Sequence, residues 1–270
     1  MDHVTTASPP HDLNLADRLE GGALTAAGQA PVPQPTTVEV HRLPVPSDIR
    51  YEIKFVADVT DLHAVLSWVT AHPAGFAMAH PDRIVNNAYM DTPDLCAYED
   101  NIAGISDREK VRYRWYGDHC HPASGVLEIK CRSDSAGWKW NAPVEHPVDL
   151  DTMTWQQFRD VLRANIGPAY RFLLDSQSMV TVVNRYRRNY FVSRDGKLRL
   201  TVDRNIQVFP QIGRTRPALR FAGHKVDALV IEVKCLVEHR FLAAEALADV
   251  RWRASRHSKY AVGIASLANL

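Results

Sequence analysis

From residue 50 onward, charged and apolar residues alternate along the chain. Arg50, Glu52 and Lys54 fall on one face of an extended segment and Tyr51, Ile53 and Phe55 on the other, because side chains two apart share a face of a strand. The alternation recurs at Lys110, Arg112 and Arg114 against Val111, Tyr113 and Trp115, and at Glu128, Lys130 and Arg132 against Leu127, Ile129 and Cys131. It returns at Tyr186, Arg188 and Tyr190, at Arg199, Thr201 and Asp203, and at Glu232 and Lys234. The pattern predicts strands over 50–57, 84–91, 109–117, 125–132, 137–143, 179–193, 197–206 and 226–236. Helical spacing interrupts it. Residues 61–72 place Leu62, Val65, Leu66 and Val69 on one face, with Thr60 as N-cap. Pro93 opens a short helix to about Ile102, capped by Thr92. Residues 155–166 turn Phe158, Val161 and Leu162 inward, and 241–250 and the stretch from Lys259 are helical as well. The expected fold is α+β, mainly β: an antiparallel eight-stranded barrel with helices packed outside.

The charged faces admit two readings. In one, they meet water and the apolar faces form the core. In the other, the apolar faces lie under helices outside the barrel and the charges line its interior. The repetition of Glu-x-Lys, at Glu52–Lys54, Glu128–Lys130 and Glu232–Lys234, has no purpose on a solvated face. Enclosed cations are costly unless Glu partners or a polyanion share the space. Arg binds phosphate oxygens in a bidentate fork and Lys as a point charge. Glutamates among them repel phosphate unless a hard cation such as Mg²⁺ or Mn²⁺ bridges the two. The second reading therefore points to a multi-phosphate ligand with a divalent ion.

Composition narrows the classes further. With 32 basic and 31 acidic residues in 270, the chain is not coated with positive charge for duplex nucleic acid. Residues 1–45, rich in Pro, Thr, Ala and Gly, are expected to be a disordered tail before a domain at 46–270. No basic-then-apolar leader begins the chain and no apolar run approaches ~18 residues, so no secretory signal and no membrane span are expected. Cys96, Cys120, Cys131 and Cys235 form no C-x-x-C pair, which argues against structural zinc and fits reduced thiols in the cytoplasm. His119, Cys120 and His121 are adjacent and cannot easily converge on one ion; they are expected to form a solvated loop. Trp68 and Trp155 are expected in the core, and Trp115, Trp138 and Trp140 outside the barrel. Arg187 should point away from the interior if Arg188 points in.

The motifs resemble those of VTC domains, members of the triphosphate tunnel metalloenzyme group related to CYTH proteins. The resemblance rests on Arg50-Tyr51-Glu52-Ile53-Lys54-Phe55, Tyr89-Met90-Asp91-Thr92-Pro93-Asp94-Leu95, Val111-Arg112-Tyr113-Arg114-Trp115-Tyr116-Gly117 and Leu127-Glu128-Ile129-Lys130. Tyr186-Arg187-Arg188, Leu198-Arg199-Leu200-Thr201-Val202-Asp203, Ile231-Glu232-Val233-Lys234 and Ser258-Lys259-Tyr260 complete it, in family order over residues 50 to 264. It implies a β-tunnel threaded by ATP or another triphosphate, with a terminal phosphoryl group moved to inorganic polyphosphate. By motif position, the phosphate ligands are Lys54, Arg112, Arg114, Lys130, Arg188, Arg199, Lys234 and Lys259. Lys139, Ser258 and Tyr186 are supporting candidates. Glu232 is the implied anchor for Mn²⁺ or Mg²⁺, with Glu52 and Glu128 as further carboxylates. Arg50 stands where hydrolytic CYTH members carry the first Glu of Glu-x-Glu-x-Lys, which favours the VTC branch. Three functions stay open at this point: polyphosphate synthesis, tunnel-type phosphatase, and non-catalytic polyphosphate or nucleotide sensing. A membrane partner protein is compatible with all three.

Overall fold

The computed structural model describes residues 49–133, 136–220 and 223–266. The stretch expected to be a tail lies outside the described residues. The elements follow in the order β1 (Arg50–Ala57), α1 (Leu62–Ala71), β2 (Ala77–Asp91), α2 (Cys96–Ala103), β3 (Arg108–Tyr116), β4 (Gly125–Ser133), β5 (Ala136–Val144), α3 (Trp155–Ala164) and α4 (Pro168–Ser176). They continue with β6 (Met179–Val192), β7 (Arg199–Pro210), β8 (His224–Val226), β9 (Leu229–Leu236), α5 (Arg240–Ala246), β10 (Arg253–Ala254) and α6 (Lys259–Ala265).

Eight strands close an antiparallel barrel in the order β1-β5-β4-β3-β2-β6-β7-β9, with β9 returning to β1. The short strands β8 and β10 pair with β7 and β1 beside this ring. Closure is uneven. β1 meets β9 along its whole length, from Arg50↔Leu236 to Ala57↔Leu229. It meets β5 only at Arg50↔Gly137 and Tyr51↔Ala136, and β10 covers that edge again at Phe55 and Val56.

The apolar face of each strand turns outward, under the helices. Phe55, Leu200, Val202, Ile231 and Val233 pack with Val65 and Val69 of α1 and Ala243 of α5. Val111, Tyr113, Leu127 and Ile129 pack with Phe158 and Leu162 of α3 and Leu174 of α4. Each Val, Leu, Ile or Phe among them contributes about 1.5–3 kcal/mol on burial. The outer layers thus hold the barrel together and leave its interior to the charged faces. Trp115 and Trp155 are buried in the second of these cores; Trp138 and Trp140 lie half-buried against it, and Trp68 against the first.

Local departures from the expected elements have local causes. Thr60 is not the cap of α1. A 3-10 turn precedes that helix, and Asp58 caps the turn by accepting the amide and hydroxyl of Thr60 at 2.8 and 2.7 Å. Helix α2 begins at Cys96 rather than Pro93, after Leu95 in the left-handed region at φ 57°. Its start is held by Asp91, whose carboxylate accepts the amides of Thr92, Ala97 and Tyr98, while Thr92 Oγ1 accepts that of Cys96. Strand β2 starts at Ala77 and tolerates Pro81, because its register with β6 shifts between His80 and Arg83. The expected strand 226–236 is two, broken at Asp227 and Ala228, and α5 stops at Ala246. Helix α4 was missed: it opens with Pro168 in its first turn and packs Leu174, with Tyr170 and Leu173 beside it, on the outer core.

Candidate functional site

The inward faces enclose a cavity of ≈ 640 Å³. Arg108 and Tyr116, the two ends of β3, both line it, so it runs the length of that strand, roughly 27 Å at ~3.4 Å per residue. Every barrel strand sends a basic side chain into it: Lys54 from β1, Arg83 from β2, Arg112 from β3, Lys130 from β4, Lys139 from β5, Arg188 from β6, Arg199 from β7 and Lys234 from β9. The two carboxylates among the lining residues are Glu52 and Glu232. Arg114, Tyr186, Ser258 and Lys259 line it too, so all the phosphate-binding candidates meet in one space.

The repeated Glu-x-Lys now has a physical reading. On the antiparallel β1–β9 ladder, Glu52 lies opposite Lys234 and Lys54 opposite Glu232. Two copies of the motif running in opposite directions therefore make a square of alternating charge. Lys54 and Lys234 reach Glu52 at 2.8 and 3.4 Å, and Lys234 reaches Glu232 at 2.8 Å. Burial would raise the pKa of Glu232, but Lys234, Lys259, Lys54 and Arg188 outweigh it and hold it well below the usual carboxylate range. The third copy works differently. Glu128 lies opposite Arg112 on β4 and is enclosed by Arg112, Lys139 and Arg114 at 2.6, 3.0 and 3.4 Å; it is not among the cavity-lining residues.

Asp203 was not singled out as a site residue, yet it is fully buried and accepts Arg188 in a bidentate fork at 2.5 and 2.7 Å. It also pairs with Lys259 at 2.5 Å. Its place on the charged face of β7 was the available signal. Thr201, on the same face, lines the cavity, and its buried hydroxyl has no hydrogen-bond partner among the described residues. Arg187 points away from the interior and pairs with Asp82.

Helix α6 delivers Ser258 and Lys259. Its position is fixed by Tyr260, which donates to Asp91 and stacks on Tyr89 with ring centroids 5.2 Å apart. Ser258 caps the helix, and its oxygen accepts both the Ala261 amide and Lys110 Nζ, leaving the hydroxyl hydrogen for a ligand. His257 does not line the cavity. Burial, with Lys259 and Lys54 close by, lowers its pKa to about 4, so the ring is neutral.

Lys110, Lys130 and Lys139 lie directly opposite one another across β3, β4 and β5. A row of like charges is destabilising. Burial, then Lys130 and Lys54, push Lys110 down to about 6. Burial, with Lys54 and Lys234 opposing Glu52, pushes Lys130 down to about 7. Lys130 keeps 37% of its side chain exposed and pairs with Glu52, so Lys110 is the more suppressed. Between pH 6 and ~10.4 the folded protein binds fewer protons at these lysines than the unfolded chain does, so they make ligand-free stability rise with pH in that window. A polyanion reverses the balance. Tripolyphosphate binding at pH 8 is expected to take up protons, read by calorimetry in buffers of different ionisation enthalpy. Proton-neutral binding would mean that this row does not meet the anion.

Outside the tunnel, His121 bridges Asp149 and Asp151 at 2.8 and 3.0 Å. Among the described residues this is the group of metal-ligating side chains whose ligand atoms converge, within 4.8 Å. Of the three adjacent residues expected to form a solvated loop, His121 belongs to this group and His119 and Cys120 do not. The four cysteines are free.

The VTC domain model matches residues 49–268. The chain belongs to the VTC domain family. Its barrel is similar to a putative adenylyl cyclase from Hippeastrum described as having a dominant triphosphatase activity, at 15% identity and TM-score 0.44 over 81% of this chain and 95% of that one. A putative adenylate cyclase from Vibrio parahaemolyticus matches at 12% identity and TM-score 0.40, over 81% and 87%. A protein from Pyrococcus horikoshii OT3 matches at 13% and 0.40, over 81% and 98%. No curated protein matches the chain. Among the described residues of this VTC domain, no helix is long and apolar enough to cross a membrane.

Proposed function

We propose that this VTC domain holds a triphosphate or polyphosphate chain along its barrel and moves a terminal phosphoryl group from ATP onto a growing polyphosphate. The observation that carries this reading is the basic side chain contributed to the cavity by each of the eight barrel strands. Phosphoryl transfer asks a protein chiefly for positioning and charge neutralisation, not for a covalent nucleophile. Lys and Arg at fixed strand positions supply both: they hold the chain in line and stabilise charge on the transferring group.

Transfer to a phosphate end is favoured over transfer to water by the state of the carboxylates. Glu52, Glu128, Glu232 and Asp203 are each paired with two or more cations. Each keeps a pKa below its ordinary value, despite burial that would raise it. They are poor bases for deprotonating water, whereas a phosphate terminus arrives already ionised.

A divalent cation, Mn²⁺ or Mg²⁺, fits the β1–β9 wall. Glu232 Oε1 lies 3.6 and 3.7 Å from Lys54 and Lys259, beyond hydrogen-bonding distance, and so retains an oxygen for a hard cation. Glu232 would hold it, with Glu52 beside it. When bound, such an ion polarises the phosphoryl oxygens.

The pure protein incubated with ATP and Mn²⁺ or Mg²⁺ should yield ADP and phosphate chains of increasing length, resolved by size. Free phosphate without chains would replace the reading with a phosphatase, and tight polyphosphate binding without turnover would replace it with a sensor. Affinity for polyphosphate should fall as salt rises; salt-insensitive binding would contradict a basic channel.

A further inference from the structure

Two arginines of the tunnel are clamped by carboxylates. Arg112 donates from Nε and Nη2 to Glu128 at 2.8 and 2.6 Å, and Arg188 forks onto Asp203. Arg114 is held differently. Its Nε donates at 2.8 Å to the side-chain oxygen of Asn87, a neutral amide. Asn87 in turn donates from Nδ2 to Asn184 Oδ1, also at 2.8 Å. We infer that Asn87, backed by Asn184, is a positioning residue: it aims the Arg114 guanidinium into the tunnel without cancelling the charge offered to a phosphate chain. The inference rests on the tunnel being the site of that chain.

Three observations carry it. The first is register. Asn87 lies directly opposite Arg114 on the β2–β3 ladder and directly opposite Asn184 on the β2–β6 ladder, so the three form one row across three strands. Side chains in such a row meet from their strand positions. The second is the direction of donation. A guanidinium has donors and no acceptor, so Asn87 must turn its oxygen to Arg114 and its amino group away. Asn184 accepts that amino group, and a reversed Asn87 amide would set donor against donor. Both asparagines are fully buried and neither lines the cavity, whereas Arg114 does, so they act on a ligand through Arg114. The third is charge. The carboxylate in contact with Arg114 is Glu128, 3.4 Å away, and it already takes Arg112 at 2.6 Å and Lys139 at 3.0 Å. One negative charge shared among three basic groups leaves Arg114 short of counter-charge. An enclosed cation in that state is costly, and an anion in the tunnel completes it. An aspartate in place of Asn87 would hold the same nitrogen and remove the deficit.

Calorimetric titration with inorganic tripolyphosphate, with chelator present, tests the row apart from any metal. Asn87→Asp is isosteric and keeps an acceptor for Arg114, so thermal melting should be no lower than in the native protein. Its affinity for tripolyphosphate should nevertheless fall about tenfold, because a fixed negative charge now competes for Arg114. Asn87→Leu should also lower affinity about tenfold, the worth of one hydrogen bond to a charged group. In an Arg114→Met background the same leucine should change affinity by less than about twofold, since no guanidinium is left to position. An equal loss in both backgrounds would make Asn87 a packing residue of the barrel and overturn the inference. So would unchanged affinity in either single variant of Asn87, and Asn87→Asp decides alone if the leucine variant does not fold. Failure of the native protein to bind tripolyphosphate would remove the tunnel reading, and this inference with it.

Discussion

Asp203→Ala should lower the free energy of unfolding by about 3–5 kcal/mol, the cost of stripping one partner from a buried ion pair. Asp203 is fully buried, and it is the nearest counter-charge to both Arg188 and Lys259, themselves almost enclosed. Removing it leaves two cations facing each other with only Glu232 to share, at 3.4 and 3.7 Å. Urea unfolding measures the loss. Adding tripolyphosphate should recover part of it, because the ligand supplies the missing negative charge. A loss below about 1 kcal/mol would mean that water solvates these cations and that the interior is far less dry than its burial implies.

Glu232→Gln should reduce metal-dependent turnover by about 10²–10³-fold, the usual penalty for deleting one preorganised charge at a transferring group. Binding should move the other way. With chelator present, the variant should hold tripolyphosphate at least as tightly as the native protein, since a carboxylate has gone from a wall of Lys54, Lys234 and Lys259. The opposed signs distinguish a metal anchor from a residue that merely keeps the wall in shape, whose loss would weaken both. Unchanged turnover would reassign the metal to other oxygens.

The barrel was legible because period-two alternation survives in nearly every strand, and the ordered motifs resolved which face turned inward. What the alternation could not supply was register. Only pairing places Glu52 against Lys234 and Lys54 against Glu232, or sets Lys110, Lys130 and Lys139 in one row. Asp203 was visible on the right face of its strand, but a lone acid gives no sign of its partners, which come from β6 and α6. Thr92 does accept the first amide of α2, but Asp91 shares that end from the close of a strand, and the cap expected at Thr60 was misread because Asp58 serves a turn instead of the helix.

The seam between β1 and β5 would give a bound phosphate chain a second role. The wall is joined there by two residue pairs, with Lys130 and Lys139 on one side and Lys54 on the other. On the proposed function, a phosphate chain lying between them would be a missing rung as much as a substrate, clasping the two edges that the backbone barely joins. The barrel's cohesion would then follow mass action, firm when phosphate chains are plentiful and looser when they are scarce.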